Sequence, residues 1–412
     1  MKNEKMFRYC IFFTLLFLLG CDTIKTVKII RRGEVDQKQF KTQIPFEFKD
    51  GLIIVKVGIN GVEYNFIVDT GAPNVLSTEL ATELKLKNTS KQKVEDSHGA
   101  SSALGFTTIN KLTIGGIDFL NTGAAIADLK QNPILECHHI KGFIGANLMR
   151  KAIWEFDFKN KMISIANSID SFRIPSNANL VPFYTDITGT PFIDMSYNGL
   201  IDKNVTVDFG YNGNIETSTV VFNKLKQSKL ISDNTCRFGC NSFGLSGRGN
   251  NDTIYDAVIS KIKIGDITLT DYVVSFNQDK SKSNIKLIGT AFFKNYRIIL
   301  NWNKNKLILI KNNDNTSTKA KGHAISCGFA PIFEKGILFI GMIDKNSDSE
   351  KQGLKIGDEI LEVNGTNYRN FTQEKYCEIV NNNGFFSFET DTIILITIKR
   401  DSQELKFKIT PN

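Results

Sequence analysis

Two short stretches decide the fold: FIVDTG at residues 66–71 and VTVDFG at residues 205–210. Each is a run of strand-forming residues that ends on an aspartate and, two positions later, a glycine suited to a tight turn. Each also follows an Asn-Gly pair, which is typical of a β-hairpin. A carboxylate at the end of a buried strand is unfavourable unless it is hydrogen-bonded or shares a proton. Asp69 and Asp208 are therefore the first candidates for a functional pair.

The landmarks around these stretches recur in the same order, which indicates a tandem duplication. The recurring pairs are the Asn-Gly turns at 60–61 and 198–199, the segments KLTIGGI at 111–117 and KIKIGDI at 261–267, the Ile-Gly pairs ending at Gly145 and Gly289, and the Asn-Lys turns at 160–161 and 305–306. Alternating apolar residues dominate both copies, so each is predicted to be mainly β. We assign lobe 1 to residues 45–175 and lobe 2 to residues 176–312.

Two aspartates, one from each copy, can hydrolyse a peptide bond without a metal. Like charges brought close together cannot both ionise easily, so one carboxyl stays protonated near the working pH. The ionised member can take a proton from a trapped water while the protonated member polarises the carbonyl. This reaction needs no cofactor, and its substrate would be a peptide or an unfolded protein.

The sequence VDTGA at residues 68–72 resembles the motif of retroviral-type aspartic peptidases, and FIGANLM at residues 143–149 resembles its downstream partner. The resemblance covers residues 45–312. It implies a two-lobed, pepsin/retropepsin-like acid-protease β-barrel fold and an aspartic endopeptidase activity with catalytic Asp69 and Asp208. It also implies a set of supporting residues around the two carboxyls: Thr70, Gly71, Phe209, Gly210, Gly145 and Gly289.

Phe209 departs from the family pattern, which has Thr or Ser after the aspartate to hydrogen-bond across to the other lobe. Either this grip survives on Thr70 alone, or lobe 2 has lost catalysis and kept a structural role. The second alternative would make the protein an inactive, protease-fold lipoprotein that binds peptides or proteins. Ala72 and Tyr211 also replace hydroxyl residues, and losing a donor to the charged form raises a carboxyl pKa. We therefore expect an activity optimum closer to neutrality than that of strongly acidic pepsins.

Two small, Gly-rich segments are candidates for flaps that close over a substrate. SHGAS at residues 97–101 supplies His98 and Gly99, and SGRG at residues 246–249 supplies Gly247 and Arg248. The alternative is two plain surface turns.

The last part of the chain, residues 323–412, resembles a PDZ domain, an α+β fold, through GLKIGDEILEVNG at residues 353–365. The resemblance implies a carboxylate-binding loop formed by Cys327, Gly328 and Phe329, beside a strand that captures a C-terminal peptide. Pro331 in that strand lacks an N–H that strand addition would use. Peptide capture and a purely structural module therefore both remain open. A polar segment at residues 313–322 is the expected linker.

The N-terminus resembles a bacterial lipoprotein signal. Lysines and an arginine precede an apolar run at residues 9–20 that is too short to span a bilayer as a helix. The ending LLGC at residues 18–21 resembles a lipobox, which implies cleavage after residue 20 and acylation of Cys21. An ordinary signal peptide with an incidental cysteine is the alternative. We expect a lipid anchor in the cell envelope, on the periplasmic side or at the surface, and a tether over residues 21–44.

Composition narrows the remaining classes of function. The net charge of +8 comes from scattered lysines without dense basic clusters, so no nucleic-acid binding is predicted. The five cysteines beyond Cys10 and Cys21 are odd in number and scattered, so we predict no disulfide framework, although Cys236 and Cys240 could close a small loop. Cys137, His138 and His139 lack a second ligand cluster at a recognisable spacing, so no metal site is predicted.

Overall fold

The computed structural model of the protein describes residues 21–95, 101–231, 234–278, 286–312, 327–382 and 393–410. The expected signal peptide (residues 1–20), the expected linker (residues 313–322) and the tip of the first candidate flap (His98 and Gly99) lie outside these ranges. Among the described residues, no helix has the length and apolar character needed to cross a bilayer.

The described chain is mainly β, as the sequence predicts. Up to residue 175 its strands are β1 (Glu34–Val35), β2 (Lys41–Pro45), β3 (Glu47–Lys49), β4 (Leu52–Ile59), β5 (Val62–Asp69), β6 (Val75–Ser77), β7 (Ser90–Glu95), β8 (Ser101–Ile114), β9 (Ile117–Ala127), β10 (Ile140–Gly145), β11 (Ile153–Asp157) and β12 (Met162–Ala166). Residues 176–312 contribute β13 (Asn179–Pro182), β14 (Tyr184–Thr185), β15 (Pro191–Tyr197), β16 (Leu200–Val207), β17 (Ile215–Ser218), β18 (Asn234–Gly239), β19 (Phe243–Gly244), β20 (Gly247–Arg248), β21 (Asp252–Ile264), β22 (Ile267–Asn277), β23 (Leu287–Ile288), β24 (Tyr296–Asn301) and β25 (Lys306–Lys311).

The C-terminal part adds a smaller α+β unit. Its strands are β26 (Phe329–Glu334), β27 (Ile337–Asp344), β28 (Glu359–Val363), β29 (Thr366–Asn367), β30 (Ile394–Arg400) and β31 (Gln403–Ile409). The α-helices of the described chain are short: α1 (Cys21–Arg31), α2 (Thr78–Glu83), α3 (Pro133–Cys137), α4 (Ala146–Met149), α5 (Thr219–Gln227), α6 (Thr290–Phe293), α7 (Asp348–Gln352) and α8 (Gln373–Asn381).

The same strand insertion occurs once in each half of the body. In the first half, β10 lies between β5, to which it is parallel, and β6, to which it is antiparallel. In the second half, β23 lies between β16 and β17 in the same senses. Parallel pairing requires a long crossover, and the connections here run through the paired strands β8–β9 and β21–β22. Each inserted strand therefore lies beside the strand that leads to an aspartate.

A sheet shared by both halves joins them. Within the described residues it has six strands in the order β13-β25-β24-β11-β12-β2. At its centre β11 of the first half pairs antiparallel with β24 of the second, from Ile153 opposite Asn301 to Asp157 opposite Arg297. Trp154 of β11 is buried in the main apolar core, to which residues of both halves contribute. The two halves thus share one hydrophobic core rather than touching at a polar interface.

The segment expected to be a tether is instead folded. Residues 21–31 form α1, whose Ile29 and Ile30 are buried, and β1 pairs with β9. Strand β2 supplies one edge of the shared sheet by pairing with β12. The side chains of Ile29 and Ile30 bury apolar surface against the first half, and this burial favours an ordered conformation over a free linker.

The C-terminal unit continues a sheet of the second half. Strand β18 pairs antiparallel with β27, which places Arg237 opposite Asp344 and Gly239 opposite Met342. Further backbone bonds extend the pairing at both ends, from Cys240 N–H to the Gly341 carbonyl and from Lys345 N–H to the Cys236 carbonyl. The C-terminal unit is thus hydrogen-bonded into the body.

A disulfide between Cys137 and Cys377 makes a second connection and corrects the expectation of no disulfide framework. It links α3 of the first half to α8 of the C-terminal unit, where Gln373 Nε2 also donates to the Pro133 carbonyl at 3.0 Å. Sequence spacing could not reveal this bridge, because its partners are 240 residues apart.

The small loop that Cys236 and Cys240 could have closed does not form, since both thiols are free. From Cys236 to Gly239 the chain runs along the extended strand β18 for about 10 Å, and Cys240 follows that strand directly. A disulfide requires Cα atoms less than about 7 Å apart.

Candidate active site

Asp69 is the last residue of β5 and is held by the strand inserted beside it. Gly145 of β10 is its parallel partner in the sheet. The backbone N–H of Gly71 donates to Asp69 Oδ1 at 2.9 Å. Only 9% of Asp69 is exposed, so the carboxyl occupies a largely dry environment.

Asp208 occupies the equivalent place in the second half. It follows β16, and its backbone N–H donates to the Ile288 carbonyl at 3.0 Å. Its Oδ1 accepts from two backbone N–H groups, that of Gly210 at 2.8 Å and that of Tyr211 at 3.2 Å. Only 8% of Asp208 is exposed. Both aspartates thus lie at buried strand ends, as the sequence predicts.

The two carboxyls lie close enough together for each to act on the pKa of the other. Their glycine neighbours make this approach possible. A Cβ atom on Gly71 would lie 2.6 Å from Asp208 Cγ, and one on Gly210 would lie 2.5 Å from Asp69 Cγ. Because each glycine faces the opposite carboxyl, a side chain at either position would force the pair apart.

The surroundings make the two carboxyls unequal. Burial raises the pKa of Asp69 well above its ordinary value, and the charge of Asp208 raises it further. Burial also raises the pKa of Asp208, but N–H donors from Gly210, Tyr211 and Gly71 oppose that rise. Because two backbone N–H groups donate to Asp208 Oδ1 and one donates to Asp69 Oδ1, the geometry favours the negative charge on Asp208 and the shared proton on Asp69.

At the dyad, the Thr70 hydroxyl bridges the two halves. Its Oγ1 donates to the Val207 carbonyl at 2.6 Å and accepts from the Phe209 N–H at 3.0 Å. Phe209 makes no reciprocal bond through its side chain, which is fully buried against Phe156 and Phe293 at ring-centroid distances of 4.8 and 5.3 Å. Of the two hydroxyl bridges expected beside the dyad, the one from Thr70 is present. The packed ring of Phe209 stands where the second hydroxyl would be.

We expect Thr70→Val to lower the free energy of unfolding by about 2–4 kcal/mol, because it leaves a buried N–H and a buried carbonyl without their partner. Thr70→Ser keeps the hydroxyl and should lose much less. Denaturant titration of both variants measures the difference. Equal stability of the two variants would show that the Thr70 hydroxyl does not join the halves.

Gly145 and Gly289 support the aspartate loops through close backbone packing. A Cβ atom on Gly145 would lie 2.1 Å from the Pro73 carbonyl carbon, and one on Gly289 would lie 2.4 Å from the Tyr211 carbonyl oxygen. The carbonyl oxygen of Tyr211 also accepts from Thr290 N–H at 2.9 Å. The structure therefore places both glycines against the loops that follow Asp69 and Asp208.

Gly247 and Arg248 lie in a short hairpin, residues 243–248, that contacts both neighbouring units. Ser246 Oγ is 2.9 Å from Ser102 Oγ of β8, at the base of the first candidate flap. Leu245 packs on an apolar cluster of the first half. The Arg248 guanidinium lies 4.9 Å from the ring centroid of Phe339 in β27. Contrary to the plain-turn alternative, this hairpin bridges the first half and the C-terminal unit.

The proposed carboxylate loop of the C-terminal unit has buried side chains. Cys327 and Phe329 are 5% and 0% exposed, and burial raises the pKa of the Cys327 thiol to about 11. Gly328 has a φ of 72°, which favours glycine. The adjacent strand β26 has a register shift between Ala330 and Pro331.

Sequence reasoning missed Glu216. Tyr211 was considered only for the hydroxyl residue that it replaces, yet its N–H donates to Asp208 and its hydroxyl donates to Glu216 Oε2 at 2.9 Å. The sequence does mark Glu216, because it is an acidic residue within β17, a strand otherwise made of Ile, Thr and Ser. Its neighbours Ile215 and Thr217 are buried.

Comparisons with known proteins agree with two parts of this architecture. The family described as "Aspartyl protease" matches residues 55–148, which include Asp69 and Gly145, and the PDZ domain family matches residues 319–384. The chain is 39% identical over 64 residues to "Rap guanine nucleotide exchange factor 6" of Homo sapiens, a match that spans 15% of this chain and 4% of that protein. The crystal structure of basic 7S globulin from soybean aligns with 66% of this chain and 95% of its own, at 8% identity and a TM-score of 0.40.

The chain therefore carries an aspartyl protease domain and a C-terminal PDZ domain, on a mainly β, acid-protease-like fold. We refer to the C-terminal unit below as the PDZ domain.

Proposed function

We propose that this protein is an aspartic endopeptidase, built from two duplicated lobes and anchored to a membrane of the bacterial cell envelope. The observation that carries the proposal is the contact between Asp69 and Asp208, each against the other's glycine, with the pKa of Asp69 raised further than that of Asp208. This contact gives one carboxylic acid and one carboxylate at the same point.

The unequal carboxyls define the roles in hydrolysis. A water held between them gives a proton to the Asp208 carboxylate as its oxygen bonds to the peptide carbonyl carbon. The protonated Asp69 donates its proton to the carbonyl oxygen, which forms a neutral tetrahedral intermediate. Asp208 then returns its proton to the leaving nitrogen as the C–N bond breaks, and Asp69 recovers its proton from the collapsing hydroxyl. The dyad ends in its starting protonation state, so no cofactor is consumed.

The repeated topology supports the two-lobe origin. Strands β10 and β23, glycines Gly145 and Gly289, and short helices α4 and α6 follow one another in the same order in the two halves. Two lobes in one chain complete the dyad without a second copy of the protein.

The rival proposal is an inactive scaffold that uses the same fold to bind peptides. The observation that favours it is Phe209, which fills the place of a bridging hydroxyl with a buried ring. Purified protein starting at residue 21, assayed on an unstructured casein-like substrate, separates the two proposals. Cleavage that a statine-type peptide inhibits supports the peptidase. Absence of cleavage from about pH 3 to about pH 8, the range in which carboxyl and imidazole groups titrate, supports the scaffold.

We assign the PDZ domain a docking role for peptide substrates or partners. Its strand β26 pairs on one edge with β27, and in PDZ recognition an extended peptide adds to the other edge. Pro331 removes one N–H from β26, so a peptide would bond to fewer backbone groups than in a regular strand.

Cys21→Ser tests the proposed lipid anchor. Because helix α1 begins at Cys21 and packs beside β7 through a contact between Thr26 Oγ1 and Ser90 Oγ at 2.8 Å, acylation would hold the body close to the bilayer. We expect the variant to leave the membrane fraction or to keep an uncleaved signal, as seen by fractionation and gel migration. Wild-type fractionation and migration of the variant would contradict the anchor.

A further inference from the structure

The second half replaces an apolar site of the first half with polar groups. Val75 pairs with Phe143, two residues before Gly145, and Glu216 pairs with Leu287, two residues before Gly289. Val75 and Glu216 are therefore equivalent positions. Val75 is 1% exposed and belongs to an apolar cluster.

The neighbours of these two positions change in the same way. Val75 lies beside Ala125, which pairs with Phe106, whereas Glu216 lies beside Ser275, which pairs with Asp256. We call the resulting set in the second half the polar cluster: Tyr211, Glu216, Arg237, Asp256, Ser275 and Asn277. Polar groups at such positions are unfavourable without partners, so the replacement needs a reason beyond packing.

The polar cluster contains two hydrogen-bonded groups. Arg237 forms an ion pair with Asp256 at 3.0 Å, and Ser275 Oγ donates to Asp256 at 2.6 Å. Glu216 accepts from the Tyr211 hydroxyl through Oε2 and from Asn277 Nδ2 through Oε1. Glu216 thus holds the Tyr211 hydroxyl while a second donor fixes its own carboxylate.

Tyr211 connects this cluster to the dyad. Three of its groups are held at once: the N–H donates to Asp208 Oδ1 at 3.2 Å, the carbonyl accepts from Thr290 at 2.9 Å, and the hydroxyl donates to Glu216. The ring lies so close to Gly213 that a Cβ atom there would be 2.2 Å from Tyr211 Cζ. The Tyr211 side chain is held at its hydroxyl and at its ring. This restraint fixes the backbone of Tyr211 and therefore the direction of its N–H.

We propose that Glu216 is a positioning residue that acts through Tyr211 to keep Asp208 as the ionised member of the dyad. The proposal rests on the proposed peptidase function. The N–H of Tyr211 stabilises the charged form of Asp208 and so lowers its pKa. Without the hydrogen bond to Glu216, the hydrogen bond from Tyr211 N–H to Asp208 Oδ1 at 3.2 Å loosens. The charged form of Asp208 is then less stabilised, and Asp208 ionises less readily relative to Asp69.

Titratable groups on several strands of the described chain act on these residues. The titratable group facing Asp208 is Asp69. Those facing Glu216 are Tyr211, Arg237 on β18, and Asp256 and Asp252 on β21. Asp344 of the PDZ domain faces Arg237 and Asp256, and burial raises its pKa to about 6. The titration of Asp208 must therefore be measured in a pH range where Asp344 does not titrate.

The test compares Tyr211→Phe, Glu216→Gln and the double variant in the protein starting at residue 21. We expect Tyr211→Phe to raise the pH at which Asp208 ionises and to lower kcat/KM about threefold to tenfold on the acidic limb, the size of one hydrogen bond. Glu216→Gln keeps an acceptor for the hydroxyl and should shift the limb less. The double variant should match Tyr211→Phe, because both changes break one connection.

Asp358→Asn is the matched control, since Asp358 is a buried carboxylate directly before β28 that pairs with Arg400 of β30 in the PDZ domain. It should leave the acidic limb unchanged even if it lowers stability. Uniform loss of kcat in Tyr211→Phe, with an unshifted limb, would overturn the proposal in favour of a structural role.

Titration of ¹³C-labelled aspartate by NMR reads the same shift without turnover. A raised Asp208 titration in Tyr211→Phe supports the proposal, and an unchanged titration overturns it. If the wild-type protein cleaves nothing, the peptidase function fails, while this titration still decides whether Glu216 and Tyr211 control Asp208.

Discussion

Asp208→Asn should lower kcat/KM on a casein-like substrate by about a thousandfold or more, and Asp69→Asn should do the same. Neither carboxyl can be acid and base at once, and the proposed mechanism gives them opposite roles. The double variant should be little worse than either single one, because residues that act as a unit are lost together.

The same variants should keep the fold, which separates lost chemistry from lost structure. Folding raises the pKa of both carboxyls. Their contribution to stability is therefore fully present below the unfolded value of about 3.9 and is lost as pH rises through the folded-state values. Asparagine does not ionise, so the thermal midpoint of either variant at pH 7 should equal or exceed that of the wild type.

A split result would identify a different site. If Asp69→Asn is inactive while Asp208→Asn keeps near-normal turnover, the second half is a structural remnant and the second carboxylate comes from elsewhere. Equal activity of both variants and the wild type would contradict the dyad altogether.

Cys377→Ser should cause the largest loss of stability among the changes outside the active site. The bridge from Cys137 closes a loop of 240 residues, and removing such a cross-link relaxes the unfolded chain by up to about 5 kcal/mol. We expect a lower thermal midpoint and faster proteolytic release of the PDZ domain. Reductant should have the same effect on the wild type, because it breaks the same bond.

Cys236→Ser is the control for this experiment, since Cys236 is a free thiol on β18, the strand that joins the PDZ domain. It should behave like the wild type with and without reductant. A Cys377→Ser protein that melts and resists proteolysis like the control would mean that the β18–β27 pairing alone holds the PDZ domain.

Much of the fold could be predicted because it is encoded locally. The strand that leads to Asp69, the turn glycines and the inserted strand before Gly145 each have a sequence pattern, and their repetition predicts the second aspartate. A carboxylate at the end of an apolar run is informative by itself, since burial would otherwise be unfavourable.

The parts that failed depend on contacts between distant residues. Cys137 and Cys377 have no spacing that marks them as a pair, and the pairing of β18 with β27 uses backbone groups that carry no sequence signature. Residues 21–44 are polar enough to read as a tether, yet Ile29 and Ile30 bury themselves on the first half. The role of Glu216 could not be predicted, because it depends on the hydrogen bonds of Tyr211 to both Glu216 and Asp208.

The PDZ domain is joined to the body by the β18–β27 pairing and by the disulfide between Cys137 and Cys377. Hairpin 243–248 touches β8 through Ser246 and β27 through Arg248.

The most direct test of the central claim is the affinity of a statine-type peptide, measured by calorimetry. Its hydroxyl mimics the tetrahedral intermediate and needs both carboxyls, so it should bind the wild type at least about a hundredfold more tightly than either Asp69→Asn or Asp208→Asn. Binding that is absent in the wild type, or equally tight in the Asp208→Asn protein, would contradict a catalytic pair formed by Asp69 and Asp208.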